Sequence, residues 1–253
     1  MIKFLPQGER YSVAAYCERA NKCIADIVSR GKQPILVGGT GLYINSLIDN
    51  IEFTEQETDL ALREKLNKKL EIEGAEALLG ELASVDPESA ARLHVNDSKR
   101  IVRALELYYQ TGVTITEQTR LSKQNGSPYN PFIIGLNARN REFLYERINR
   151  RVGIMAQNGL VEEAKACLDS DKGTAAQAIG HKELMPYFNG DMSLDEALDN
   201  LRMQTRRYAK RQLTWLRRDE RVNWINIDDY AGFDELANAV VYLCDKFLKE
   251  RGV

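Results

Sequence analysis

The sequence lacks several patterns that would assign it to a familiar class of protein. Its four cysteines form no CxxC pair and it has only two histidines, so a structural zinc site and a disulfide framework are both disfavoured. No run approaches the roughly 18 consecutive apolar residues of a membrane span. The N-terminus also lacks a charged region followed by an apolar one, as in a signal peptide. We therefore expect a cytoplasmic protein with no metal bound by its own residues and no membrane partner.

A strong net charge and a P-loop are missing as well. The chain has 253 residues, enough to bury a sizeable core, and a net charge of -2. A nucleic-acid partner would therefore have to meet a locally basic surface. No G-x-x-x-x-G-K-[ST] motif occurs, although the element pattern below favours an α/β protein that handles phosphates.

The most informative segment is a glycine-rich turn between two apolar runs. The run Ile35 to Val37 is followed by Gly38-Gly39-Thr40-Gly41 and then by Leu42-Tyr43-Ile44, which predicts a buried strand, a turn and the start of a helix. Glycine allows the backbone to approach a ligand closely, and the N-terminus of a helix offers free N–H groups to an anion. A purely conformational role for these glycines is an equally good interpretation of the turn alone.

The remaining periodicity predicts an α/β body interrupted by helices. We expect a helix over Tyr11 to Arg30 with Ser12 as its cap, and strands over Pro34 to Val37, Phe132 to Leu136 and Val222 to Ile227. Later helices are predicted over Arg141 to Gln157, over Gly159 to Leu168 with a polar linker to Ala175, over Leu194 to Arg218, and over Phe233 to Leu248. The charged block 53–124 has no strand pattern and predicts helices over Asp59 to Ile72, over Ala75 to Ala83, after Asp86-Pro87, and after Asn96-Asp97-Ser98 up to Thr111-Gly112. We therefore expect a helical insertion domain at 53–124 within a body formed by 1–52 and 125–253.

The most one-sided charge lies near the C-terminal end of the long helix. Only Asp219 and Glu220 oppose a basic set there: Arg202, Arg206, Arg207, Lys210, Arg211, Arg217, Arg218 and Arg221. Helical spacing places Arg206, Lys210 and Arg217 in one row and Arg207 and Arg211 in a neighbouring row. A solvated helix face is the usual meaning of a charge run, but the scarcity of acids and the presence of Trp215 favour phosphate or nucleic-acid binding.

A second basic row consists of Lys99, Arg100 and Arg103, just after a helix cap. Glu106 lies one turn beyond Arg103 and could simply pair with it, so binding and pairing are equally good interpretations. His94 and His181 have no Ser or Cys partner motif, which gives a nucleophilic triad little support.

Several motifs together resemble tRNA dimethylallyltransferases, the IPP transferase family. They are LVGGTGLY at Leu36 to Tyr43, YSVAAY at Tyr11 to Tyr16, HVNDSKRIVRALE at His94 to Glu106, AIGHKE at Ala178 to Glu183, and TRRYAKRQLTWLRR at Thr205 to Arg218. The resemblance covers most of the chain in the right order. It implies a P-loop-kinase-like parallel-sheet body with a helical insertion domain that contacts the tRNA anticodon stem-loop. The implied reaction transfers a dimethylallyl group from dimethylallyl pyrophosphate to N6 of adenosine 37 of tRNA, with Mg²⁺ as cofactor. The resemblance also implies that the enzyme is a monomer.

The resemblance also implies roles for individual residues. Substrate binding would fall to Gly38, Gly39, Thr40 and Tyr43. Binding of tRNA would fall to Lys99, Arg100, Arg103, Gln177, Gly180, His181, Lys182, Arg206, Lys210, Arg211, Gln212, Thr214, Trp215 and Arg217. Where the family commonly has Tyr in an IGYKE motif, this chain has His181.

Members of the family begin with a strand, a P-loop and a carboxylate that acts as general base, all of which would lie upstream of Met1. The resemblance therefore implies an N-terminally truncated body that transfers no dimethylallyl group at a useful rate. Two alternatives stay open: an RNA-binding protein without transferase activity, and a transferase that acts on free adenine nucleotides. A mononucleotide needs no such extended basic surface, which argues against the second alternative.

Overall fold

A computed structural model of the chain describes residues 11–51, 59–124, 126–170 and 178–251. The chain divides into two compact units, a body formed by Met1–Ile44 with Asn130–Val253, and a helical unit formed by Asn45–Tyr129. The division falls within one helix, α2 (Gly41–Ile48). None of the described helices is long and apolar enough to cross a lipid bilayer.

The body is built from helices and one pair of strands. Its elements are α1 (Val13–Ser29), the first part of α2, β1 (Ile133–Asn137), α7 (Arg141–Gln157), α8 (Leu160–Ser170), α9 (Met185–Phe188), α10 (Leu194–Leu216), β2 (Val222–Asn226), a 3-10 turn (Ile227–Asp229) and α11 (Phe233–Glu250). Strands β1 and β2 are parallel, with Ile133 opposite Val222. The α/β class with a parallel sheet is therefore confirmed.

Local capping explains why α1 and α10 begin where the sequence predicts. The Ser12 side chain accepts a hydrogen bond from the Ala15 N–H group at the start of α1. At the start of α10, Ser193 and Glu196 form a reciprocal capping box, which satisfies N–H groups that a helix cannot bond internally.

The body core lies where α7, α8, α9 and α10 pack together. Its fully buried side chains include Leu184 and Leu201, and other buried members are Val152, Leu160, Ala164, Ala197 and Leu198. This packing fixes which side of α10 faces inward.

The helical unit contains α3 (Leu60–Val85), α4 (Pro87–Arg92), α5 (Ser98–Thr111) and α6 (Ile115–Gln124). Its core joins α3 to α5 through Leu78, Leu82, Ile101 and Leu105, all at most 1% exposed. Gly112 ends α5 with a left-handed backbone, φ 71°, as its Thr-Gly signal predicts.

Helix α3 is interrupted at Gly74, where φ is 82° and ψ is 167°. Lys69 Nζ lies 2.7 Å from Glu81 Oε2, although the two residues are 12 positions apart. Twelve residues of straight helix would span about 18 Å, so the two halves of α3 bend back toward each other. The two helices predicted on either side of Gly74 are therefore confirmed as the arms of this bend.

The predicted strand over Pro34 to Val37 is wrong. These residues have no regular secondary structure, and Ile35 and Val37 are 82% and 88% exposed. Among the described residues, β1 and β2 pair only with each other. A strand needs a neighbouring backbone to satisfy its N–H and C=O groups, and no described strand provides one here.

Candidate active site and RNA-binding helix

The glycine-rich turn Gly38–Gly41 leads directly into α2. The Thr40 carbonyl accepts hydrogen bonds from the N–H groups of Tyr43, at 3.0 Å, and Ile44, at 3.1 Å, which begins the helix. The Thr40 side chain is exposed. A hydroxyl at this position is therefore available to a phosphate or a base.

Two of the turn's glycines are required by neighbouring side chains from α10. A Cβ atom at position 39 would overlap the Gln212 amide, and one at position 41 would overlap the Trp215 indole. Gly38 differs, because a Cβ atom there would have no neighbour within 4 Å. Close approach to α10, and not only to a ligand, thus explains Gly39 and Gly41.

A stacked pair of tyrosines lies beside the turn. The Tyr43 ring stacks on the Tyr16 ring with centroids 4.9 Å apart, and the Tyr43 hydroxyl donates to the Tyr11 carbonyl at 3.3 Å. Burial raises the pKa of both Tyr16 and Tyr43, so these phenols stay protonated at neutral pH. Tyr11 and Tyr16, which both lie in the YSVAAY motif, were not among the predicted site residues.

Helix α10 presents a continuous cationic face to solvent. Its exposed residues recur at helical spacing and are Arg207, Lys210, Arg211 and Thr214, followed just beyond the helix end by Arg217 and Arg218. The Arg211 guanidinium lies 5.6 Å from the Tyr208 ring centroid. In the part of the chain that the structure describes, Arg207, Lys210 and Arg217 form no ion pair. These cations are therefore available to an external anion.

Arg206 does not belong to that exposed face. Its Nη1 atom donates to Asn149 Oδ1 at 2.7 Å, and its guanidinium lies 5.6 Å from the Tyr145 ring centroid. The row predicted from Arg206, Lys210 and Arg217 is thus divided, because packing on α7 turns the half-buried Arg206 inward. Helical spacing alone could not show which side α7 covers.

The segment Ala178 to Glu183 exposes one of its predicted RNA-binding side chains. Gly180 has φ 115° and its N–H group donates to the buried Glu183 Oε2 at 2.9 Å. His181 is 8% exposed, with Nε2 3.6 Å from Glu163 Oε1, whereas the Lys182 side chain is 54% exposed. Gln177 lies outside the described residues. Lys182 Nζ also lies 3.7 Å from Glu183 Oε1, so Lys182 is the exposed member of this set but is already paired with a carboxylate.

In the helical unit, the row at the start of α5 is partly neutralised. Arg103 Nη1 and Arg63 Nη2 donate to Glu106 Oε2 at 2.8 and 2.7 Å. Burial raises the pKa of Glu106, but the two guanidinium groups lower it by more, so it lies below its usual value. For Arg103, binding and pairing were equally good interpretations of the sequence, and the structure shows that Arg103 pairs with Glu106.

Of the other two cations in this row, only Arg100 forms an ion pair among the described residues. Arg100 lies 3.8 Å from Asp97, which leaves Lys99 as the cation of the row with no ion pair in the described part of the chain.

Among the described residues, no group of three or more His, Cys, Asp or Glu side chains could hold a metal ion. All four cysteines are free thiols.

Comparisons with known proteins agree with these features. The family model described as IPP transferase matches residues 1–219. A tRNA dimethylallyltransferase of Caldanaerobacter subterraneus subsp. tengcongensis is 45% identical over 251 residues, which cover 97% of this chain and 80% of that protein. One from Desulforamulus reducens is 44% identical, with 95% and 86% covered.

Solved structures match as well. The full-length tRNA isopentenylpyrophosphate transferase of Bacillus halodurans has a TM-score of 0.67 at 37% identity, covering 99% of this chain and 78% of its own. A eukaryotic dimethylallyltransferase acting on tRNA has a TM-score of 0.76 at 25% identity, covering 96% and 63%. The chain belongs to the IPP transferase family, and the resemblance of its motifs is confirmed.

Proposed function

We propose that the protein is a tRNA dimethylallyltransferase that uses dimethylallyl pyrophosphate to modify N6 of adenosine 37. The observation that carries this proposal is the family match over residues 1–219, which includes the turn Gly38–Gly41 and the cationic face of α10. In this reaction the C–O bond to pyrophosphate breaks and a C–N bond to the adenine forms. The amine loses a proton and pyrophosphate leaves. We assign no general base among the described residues.

The residues of this chain support three parts of that reaction. Exposed cations of α10, such as Lys210 and Arg211, neutralise tRNA phosphates and release their counterions. The target adenine must leave its stack, at a cost of a few kcal/mol. Thr40 offers a hydroxyl and Tyr43 an aromatic wall beside the turn, where exclusion of water protects the reactive carbon.

The proposal also covers the part of the tRNA that is bound, the location and oligomeric state of the protein, and its cofactor. The partner is the tRNA anticodon stem-loop, bound by a cytoplasmic monomer. Mg²⁺ prefers phosphate oxygens and water to an all-protein cage, which is consistent with the absence of a three-ligand group among the described residues.

The test supplies the full-length gene product with unmodified tRNA, labelled dimethylallyl pyrophosphate and Mg²⁺. Label should be recovered on N6 of adenosine after nuclease digestion, and a matched tRNA with guanosine at position 37 should stay unlabelled. Binding of tRNA without any transfer would instead support an RNA-binding protein without transferase activity. Labelling of free AMP in preference to tRNA would support the transferase of free nucleotides.

A substitution at Thr40 tests the turn itself. Because the side chain is exposed, Thr40→Ala should leave the fold intact. Loss of one hydrogen bond to a charged group should lower kcat/KM by about 1–3 kcal/mol of transition-state binding. Ser29→Ala, which removes an exposed hydroxyl at the end of α1 outside any predicted site, is the matched control for general effects of the substitution. Unchanged kinetics for Thr40→Ala would mean that the turn has only a conformational role.

A further inference from the structure

The last two turns of α10 have two different faces. Lys210, Arg211 and, just after the helix, Arg217 point to solvent, whereas Gln212 and Trp215 are half-buried. Gln212 Nε2 donates to the Gly39 carbonyl at 3.0 Å, across 173 positions of sequence. Trp215 covers Gly41 so closely that the indole occupies the space of a Cβ atom.

The contacts of Gln212 and Trp215 hold the turn Gly38–Gly41 against α10. The residues before it have no regular secondary structure, and Ile35 and Val37 are largely exposed. Among the described residues, no strand pairs with this segment. The Gly39 carbonyl therefore depends on the Gln212 amide for its direction, since no sheet ladder fixes the backbone there.

The same contacts leave little of either side chain for RNA. The Gln212 amide already donates to Gly39, and the Trp215 ring faces Gly41. The exposed row on the other side of α10 carries the charge that phosphates require. We infer that Gln212 and Trp215 are positioning residues that hold the turn Gly38–Gly41 in place, and that they are not tRNA contacts.

This inference deepens the proposed function and rests on it in one respect, namely that the turn binds the pyrophosphate substrate. Positioning matters because a displacement of about 1 Å at a reacting group can lower a rate by about 100-fold. Gln212 and Trp215 would then act on the reaction only through Gly39 and Gly41.

The first experiment separates positioning from RNA contact. In the full-length gene product, Gln212→Leu and the isosteric Gln212→Glu both remove the donor to Gly39. Each should lower kcat/KM for dimethylallyl pyrophosphate by about tenfold or more, while the dissociation constant for tRNA changes less than about twofold. Gln212→Asn keeps an amide on a shorter side chain and should recover part of the loss.

The neighbouring exposed residue provides the matched control. Arg211→Gln should weaken tRNA binding and make the slope of log K against log salt shallower by about 1, with no change in KM for dimethylallyl pyrophosphate. If Gln212→Leu weakens tRNA binding as Arg211→Gln does and leaves kcat/KM for the pyrophosphate substrate unchanged, Gln212 is an RNA contact and the inference is wrong.

The second experiment needs no activity, so its result stands even if the proposed function fails. Gly39→Ala forces a methyl group into the Gln212 side chain, whereas Gln212→Ala removes that side chain. The double variant should therefore unfold at a higher urea concentration than the sum of the two single effects predicts. Simple additivity, which is usual for residues that do not touch, would show that the contact does not hold the turn.

Discussion

Replacement of Glu106 by glutamine tests the buried ion-pair cluster of the helical unit. The Glu106 side chain is 0% exposed and accepts hydrogen bonds from two guanidinium groups, whereas the Arg63 and Arg103 side chains are 38% and 49% exposed. Hydrogen bonds to charged groups contribute about 1.5–3 kcal/mol each. In the variant one arginine can return to water, while the other can still donate to the glutamine carbonyl. We therefore expect Glu106→Gln to lower the free energy of unfolding by about 2–3 kcal/mol.

The pH dependence of this difference has a definite sign. Because the folded-state pKa of Glu106 is below its usual value, its contribution is complete above the unfolded pKa of about 4.3. The contribution is lost as the pH falls through the lower, folded pKa. The stability difference between parent and Glu106→Gln should be constant near neutral pH and should shrink below about pH 4.

Urea unfolding at several pH values measures both effects, provided that the m-value is unchanged. Glu64→Gln is the matched control, because Glu64 pairs with Lys68 on the surface, with both side chains about two-thirds exposed. Such exposed pairs contribute little. A loss for Glu106→Gln no larger than that for Glu64→Gln, or a difference that does not change in acid, would refute the reasoning.

Three further predictions concern the body. In the parent protein, contact with three to five phosphates should give a slope of log K against log salt of about -2 to -4 for an anticodon stem-loop. The double variant Lys210→Gln/Arg217→Gln should make that slope shallower, and an unchanged slope would leave α10 with an ordinary solvated face. Arg206→Gln should instead lower the urea midpoint and leave that slope unchanged, because Arg206 bonds to Asn149; a shallower slope would return Arg206 to the RNA-binding set. Gly41→Ala should lower the free energy of unfolding by about 1–3 kcal/mol, because the new methyl group overpacks on Trp215. Gly38→Ala has open space at its Cβ and should unfold like the parent protein. Equal losses for the two variants would contradict the close approach of Gly41 to Trp215.

Local signals predicted most of the helices and both strands. Ser12 caps α1, the Asp86-Pro87 pair begins α4, and Gly112 ends α5, since each depends on neighbours within a few residues. Strands β1 and β2 were found at 133–137 and 222–226, close to the predicted Phe132 to Leu136 and Val222 to Ile227.

Features that depend on distant residues were not predictable in the same way. The apolar run Ile35 to Val37 has the composition of a strand, but a strand also needs a paired backbone. The hydrogen bond from Gln212 to Gly39 joins residues 173 positions apart, so no window of sequence contains it. The inward direction of Arg206 follows from the packing of α10 on α7. The motif resemblance located these residues without revealing what each side chain touches.

The bend at Gly74 offers a place to modify the molecule without disturbing its surfaces. Gly74 itself should stay, because its φ of 82° suits glycine, but Ile72 and Glu73 beside it are exposed. Each doubling of a flexible loop costs only about 0.6 kcal/mol, and the Lys69–Glu81 ion pair would still join the two arms. A short tag or fluorophore-bearing insertion after Gly74 would therefore give a reporter on the helical unit that leaves α5 and its cations untouched.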